Sequence, residues 1–204
     1  VETLIICDSK GIIYSGRKEG MNPYKENLAK KGNKKNEKGS LKDAIKDSDF
    51  LIGLSVGNIV TKDIVKSMAP EPVVFALANP IPEIHPKLAL EAGASIVGTG
   101  RSDFPNQINN VLCFPGIFRG TLDSRATEIN FNMKKAATNA ICSLIPEKEL
   151  KPDCIIPKVF NPDVAPSVAY ATAKAAIESG VSKKPLDPEE IKKRTYHLTK
   201  KYWK

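Results

Sequence analysis

Short apolar runs that end in a carboxylate, an amide or a glycine-bearing turn recur along the first half of the chain, separated by polar stretches of helical spacing. The runs are TLIIC (3–7), ending at Asp8 before SKG, then DFLIGLS (49–55), VVFALAN (73–79) and ASIVGTG (94–100). Each is short and too continuously apolar for a strand with one wet face, which predicts buried strands of a parallel sheet. Between them NPYKENLAK with Pro23 in its first turn, SLKDAIKDS with a serine cap, TKDIVKSMA, and HPKLALEAG closed by Gly93 predict helices. The alternation predicts the α/β class: a doubly wound, mostly parallel sheet with helices on both faces and further helices at the C-terminal end.

From Leu122 the pattern changes. Ala126, Ile129, Met133, Ala136, Ala137, Ala140, Ile141 and Leu144 recur at three- and four-residue steps, which predicts one long amphipathic helix. APSVAYATAKAAIESG (165–180) predicts a second, and PEEIKKRTYHLTKKYWK (188–204) a third, exposed one; CIIPKVF (154–160) reads as an additional strand. SKKPLDP (182–188) is the one plausible linker, so the expected division is a domain over 1–181 followed by a basic helix over 182–204.

Composition narrows this picture only slightly. With 41% hydrophobic and 26% charged residues over 204 positions, the chain is of globular type. Its formal charge of +8 comes from dispersed lysines, densest at KKGNKK (30–35) and in the last thirteen residues. Neither spot carries the aromatic interleaving of a nucleic-acid-binding sheet, so no nucleic-acid partner is expected. No apolar stretch reaches the roughly 20 residues needed to cross a bilayer, so no membrane partner is expected either. The four cysteines form no C-x-x-C pair and read as reduced thiols of a cytoplasmic protein.

In open α/β sheets ligands bind beyond the carboxyl ends of the strands. Asp8, GLSVGN (53–58), NPIPE (79–83) and GTGRSD (98–103) stand at such ends, and together they predict a cleft. Asp8 is placed to accept hydrogen bonds from an adenosine ribose, which favours NAD, whereas Lys10 and Arg17 offer charge to a 2′-phosphate; Asp8 could equally be a turn former. Ser55 and Gly57 belong to the candidate cofactor turn, although neither glycine-bearing turn follows the G-x-G-x-x-G spacing. His85 and His197 read as surface residues, and no nucleophilic triad or metal-ligand cluster can be assembled. That leaves the amides of Asn79, Asn106, Gln107, Asn109 and Asn110, which can bind and orient a carboxylate or carboxamide without moving protons.

The segments CDSKGIIYSGR, FALANPIPEI and TGRSDFPNQINNVLCFPGIFRGTLDSRATEIN resemble the C-terminal, cofactor-binding half of bacterial and archaeal malic enzymes, and the resemblance covers nearly the whole chain. It implies a Rossmann-like domain and oxidative decarboxylation of L-malate to pyruvate and carbon dioxide with NAD or NADP and a divalent metal, Mg or Mn. It further implies that the asparagine of A-N-P and one of the N-N pair contact malate and nicotinamide: Asn79 and Asn110, with Asn109 as the alternate. No catalytic residue and no metal ligand is expected in this chain. The tyrosine acid, lysine base, metal carboxylates and glycine-rich turn of the family belong to sequence before a residue like Val1. On that reading the first, central strand of a 3-2-1-4-5 sheet is absent, the strands at 3–7 and 73–77 each lack a neighbour, and the partners are an N-terminal malic enzyme domain and further copies in a homo-oligomer. Alone, such a portion would be inactive. The competing readings are another two-domain dehydrogenase, and a catalytically silent nucleotide-binding or subunit-interaction module.

Overall fold

The structure, a computed structural model, describes residues 2–202, and the chain folds as two compact units, 1–97 and 98–204. The first unit begins with a hairpin in which β1 (Cys7–Asp8) pairs antiparallel with β2 (Gly11–Ile12). The run at 3–7 is therefore not a buried strand of a parallel sheet. Asp8 to Gly11 reverse the chain too tightly: Gly11 sits at φ 97°, the Lys10 N–H donates to Asp8 Oδ1 at 2.9 Å, and the Ile13 N–H donates to the Ile6 carbonyl at 2.8 Å. Leu4, predicted to be buried, is 52% exposed.

The remainder of this unit alternates as the pattern predicts. Helix α1 (Pro23–Lys31) is capped by Asn22, and α2 (Leu41–Ile45) by a reciprocal Ser40–Asp43 box. Strand β3 (Phe50–Gly53) leads to α3 (Lys62–Lys66), capped by Thr61; β4 (Val73–Ala76) leads to α4 (Pro86–Glu91), capped by His85, whose Nδ1 accepts from the Lys87 N–H at 3.3 Å. With β5 (Ile96–Thr99) the strands form a parallel sheet in the order β3-β4-β5. Val74 and Ala76 project from one sheet face into a core completed by Ile45, Val65, Ala89 and Val97. On β3 the alternation leaves Phe50 and Ile52 46% and 57% exposed.

The strand order corrects one expectation. The strand at 73–77 has a neighbour on each side, and among the described residues β3 and β5 are the outer strands of this sheet. Phe50–Gly53 pairs residue for residue with Val73–Ala76, so no gap separates the two strands.

The second unit is helical. After a short 3-10 turn (Asn110–Leu112) come α5 (Phe114–Asp123), α6 (Phe131–Cys142), α7 (Val164–Glu178) and α8 (Pro188–Tyr202). The single long helix predicted from Leu122 to Leu144 is thus two helices meeting in an irregular segment. Arg125, at φ 48°, ends the first, and Asn130 caps the second by accepting from the Met133 N–H at 3.0 Å. The helical spacing misled because Ala126 and Ile129 pack into the same cluster as Met133 and Ala136 without being helical themselves.

Helix α5 lies where the sequence shows a merely apolar run. Pro115 occupies its first turn, where a missing N–H costs nothing. Phe114 and Phe118 stack at 5.5 Å on an outer face and are about half exposed. The inner face carries Gly116 and Gly120, which let α7 approach to backbone contact: a Cβ on Gly120 would stand 2.5 Å from the Ala169 carbonyl oxygen.

No strand forms at 154–160, where the described backbone has only an isolated bridge between Lys151 and Cys154. Helix α8 is not wholly exposed, since Ile191 packs fully buried against Ala169 and Ala173 of α7. The segment read as a linker is held down as well. Lys183 and Lys184 donate backbone hydrogen bonds to Arg125 and Ser124, and Ser182 Oγ donates to the Ser124 carbonyl at 2.8 Å.

Candidate functional site

Asp8 ends β1, beside the turn into β2, with every acceptor position of its carboxylate engaged. Oδ1 accepts from the Lys10 N–H and from Arg17 Nη1, each at 2.9 Å, while Oδ2 accepts from Arg17 Nη2 and Lys25 Nζ. A carboxylate offers about four such positions. Arg17 is buried, and its guanidinium and the other donors hold the Asp8 carboxyl well below the usual carboxylate range. Beside this cluster lie open depressions lined by Lys10, Arg17, Lys18, Lys30 and Lys38. Glu19 and Glu26 line these depressions as well, Lys10 pairs with Glu19 at 2.8 Å, and the engaged carboxylate of Asp8 means that a ribose hydroxyl must displace one of its donors to bind there.

At the ends of β3 and β4, Ser55 and Asn79 are exposed, and Gly57 is half-buried against Ile81. A Cβ on Gly57 would fall 2.7 Å from the Ile81 side chain and 2.8 Å from its carbonyl oxygen, so closeness of backbone explains this glycine. The Asn79–Pro80 peptide is cis. Ser55 and Ala78 are both tied to Glu83, a buried acid that the pattern of strand-end residues did not single out. Its signal in the sequence is an acid enclosed by Ile81, Pro82 and Ile84.

In the second unit the amides of Thr99–Asn110 separate by role. Asn106 is buried at φ 54°; its Oδ1 accepts from the Ile155 N–H at 2.9 Å and its Nδ2 donates to the Pro152 carbonyl at 2.8 Å. Its side chain thereby holds the segment 152–155, and asparagine tolerates the left-handed backbone better than most residues. Asn106→Ala removes both bonds and adds backbone strain. The expected loss is about 2 kcal/mol in unfolding free energy, read from denaturant midpoints, and an unchanged midpoint would refute this structural role.

Asn109 is also engaged, its Oδ1 accepting from the Val111 N–H at 3.0 Å and its Nδ2 donating to the Gly100 carbonyl at 3.4 Å. Asn110, next in sequence, is exposed. The loop is closed onto the strand by hydrogen bonds from Ile108 N–H to the Thr99 carbonyl at 2.8 Å and from Thr99 N–H to the Asn106 carbonyl at 3.3 Å.

The other reactive groups do not assemble. Burial, with the Asp8 charge beside it, pushes the Cys7 thiol up to about 11, and burial also raises Cys113, so neither is an activated nucleophile. Among the described residues no three His, Cys, Asp or Glu side chains gather into a group able to hold a metal ion, so the residues described do not fit a metal centre. No described helix is long and apolar enough to cross a membrane.

A family model for the NAD-binding domain of malic enzyme matches residues 1–177. The chain belongs to the malic enzyme family. It is 58% identical to a bifunctional malic/malolactic enzyme of Bacillus subtilis over 98% of its length, covering 48% of that protein. Against an NAD-dependent malic enzyme of Geobacillus stearothermophilus the identity is 50%, over 92% of this chain and 39% of the relative. A crystal structure of malic enzyme from Pyrococcus horikoshii superposes with a TM-score of 0.87 at 42% identity, covering 94% of this chain and 44% of that one. The chain thus spans about half or less of the length of these malic enzymes.

Proposed function

We propose that this chain is the cofactor- and substrate-binding portion of an NAD(P)-dependent malic enzyme, which converts L-malate to pyruvate and carbon dioxide. The observation that carries the assignment of residues is the division of labour among the amides. Asn106 is engaged with the segment 152–155 and Asn109 with its own loop, whereas Asn79, in the turn after β4, and Asn110, at the start of the 3-10 turn, are exposed. Asn110 rather than Asn109 is therefore the member of the pair assigned to malate. Asn79 and Asn110 donate hydrogen bonds to a substrate carboxylate or the nicotinamide carboxamide and fix its orientation; having no titrating proton, they take no part in proton transfer. Asp8, Ser55 and Gly57 are assigned to the cofactor, NAD or NADP, which when bound accepts a hydride from C2 of malate.

A divalent Mg or Mn ion is assigned to residues outside those described, as are the general acid and base. The open edge at β3 and the partial coverage of the relatives support an N-terminal malic enzyme domain as the missing partner, with assembly into a homo-oligomer and a cytoplasmic setting following by analogy. Residues 1–204 alone are then expected to be inactive.

Asn110→Ala in the whole protein tests this reading. Loss of a hydrogen bond to a charged group is worth about 1.5–3 kcal/mol, so kcat/KM for malate should fall about 10- to 100-fold with the unfolding midpoint unchanged. Full activity in that variant, or malate turnover by residues 1–204 alone with Mg and NAD, would overturn it.

A further inference from the structure

We propose that Glu83 is a positioning residue that fixes the spacing of the two turns following β3 and β4, and thereby the placement of Ser55 and Asn79. The proposal rests on the reading above that these turns hold cofactor and substrate.

Glu83 is 1% exposed. Its Oε1 accepts from the Ser55 N–H at 2.7 Å and from Ser55 Oγ at 3.3 Å, and its Oε2 accepts from the Ala78 N–H at 3.0 Å. One side chain therefore spans from the turn after β3 to the turn after β4. Its backbone continues the join: the Glu83 carbonyl accepts from Val60 N–H at 2.9 Å and the Pro82 carbonyl from Asn58 N–H at 3.0 Å. Residues 55–60 are thus fastened along residues 82 and 83, and Asn79 follows directly on the tethered Ala78.

Two features single out a carboxylate here. Both tethers are N–H donors on opposite oxygens, so the site requires two acceptors. A glutamine would present one oxygen and one NH2, and the NH2 would face an N–H at one tether. Gly53, the last residue of β3, leaves room for the group: a Cβ there would lie 2.4 Å from Glu83 Cδ and under 3 Å from both carboxylate oxygens. Gly53→Ala would displace the carboxylate without removing it.

The test compares Glu83→Gln and Gly53→Ala with the unchanged whole protein. Backbone amide hydrogen exchange at Ser55 and Ala78 reads the tethers, while the Kd for NAD or NADP and the KM and kcat for malate read their consequence. In Glu83→Gln exchange at one or both of these amides should quicken about tenfold, and Kd or KM should rise about tenfold, under conditions where circular dichroism shows both proteins folded. Gly53→Ala should reproduce the pattern. Unchanged exchange would overturn the tether itself. Faster exchange with unchanged Kd, KM and kcat would leave Glu83 as a fold residue only and overturn the positioning role. An unchanged protein that binds neither cofactor nor malate would refute the functional reading, and the positioning role with it, while exchange still reports the tether separately.

Discussion

Gly120→Ala is expected to destabilise the helical unit by about 3 kcal/mol, although alanine favours a helix over glycine by about 1 kcal/mol. The sign follows from the neighbours. A Cβ on Gly120 would meet the Ala169 carbonyl oxygen at 2.5 Å, Thr172 Cβ at 2.8 Å and the Ala173 nitrogen at 3.0 Å. Two of these are backbone atoms of α7, which cannot swing aside as a side chain can. Gly116 makes a second close approach one turn earlier, with a Cβ 2.5 Å from Val168 Cβ and 2.8 Å from the Ala165 carbonyl. Relief requires α5 and α7 to separate, and that opens the contacts of Val168 and Ala169, both fully buried. Helical circular dichroism followed through urea denaturation gives the measurement. A midpoint equal to or above that of the unchanged protein would show that propensity outweighs the contact and would refute the close crossing.

The second large effect is expected at Asp8. Asp8→Asn leaves the buried Arg17 guanidinium facing an amide that can accept at one atom only, with Lys25 brought alongside. Arg17 is buried and Asp8 half-buried, so removing the carboxylate strands the guanidinium charge, and about 3 kcal/mol of stability should be lost at neutral pH. The pH dependence has a definite sign. The folded-state pKa of Asp8 is depressed, so its contribution is fully present above the unfolded value of about 4 and is lost as pH falls toward the depressed folded value. The difference between unchanged and variant proteins should therefore shrink as urea midpoints are taken from pH 7 down through pH 4 and below. A constant difference over that range would point to packing rather than charge as the origin.

Sequence patterning carried the parallel part of the fold because its signals are local. Pro23, Ser40, Thr61 and Gly93 mark helix ends through their own backbone chemistry, and the runs at 50–53, 73–76 and 96–99 alternate with them. What escaped depended on distant partners. Nothing near Gly120 announces that α7 will press against it, and the two glycines together with Pro115 depress the apparent helicity of the segment that became α5. The break at 124–130 was hidden because core-facing positions can keep a helical rhythm after the backbone has left the helix. The amides of the Thr99–Asn110 loop stand out in the sequence as a group, yet their side chains carry the same functional group. Only burial, the left-handed backbone at residue 106 and the capping bond at residue 109 distinguish those that hold the loop from Asn110. Glu83 escaped for a related reason, since a lone acid reveals its donors on Ser55 and Ala78 only when β3 and β4 are side by side.

The open edge of β3 carries a consequence for handling this polypeptide. Phe50 and Ile52, followed in the same alternation by Leu54 and Val56, are all between 46% and 78% exposed beside unpaired strand backbone. Flat apolar edges of this kind recruit other strands, and two copies of the same chain are the readiest supply. Association through this edge would then limit the concentration at which these residues can be kept in solution, and Ile52→Lys is the natural gatekeeper.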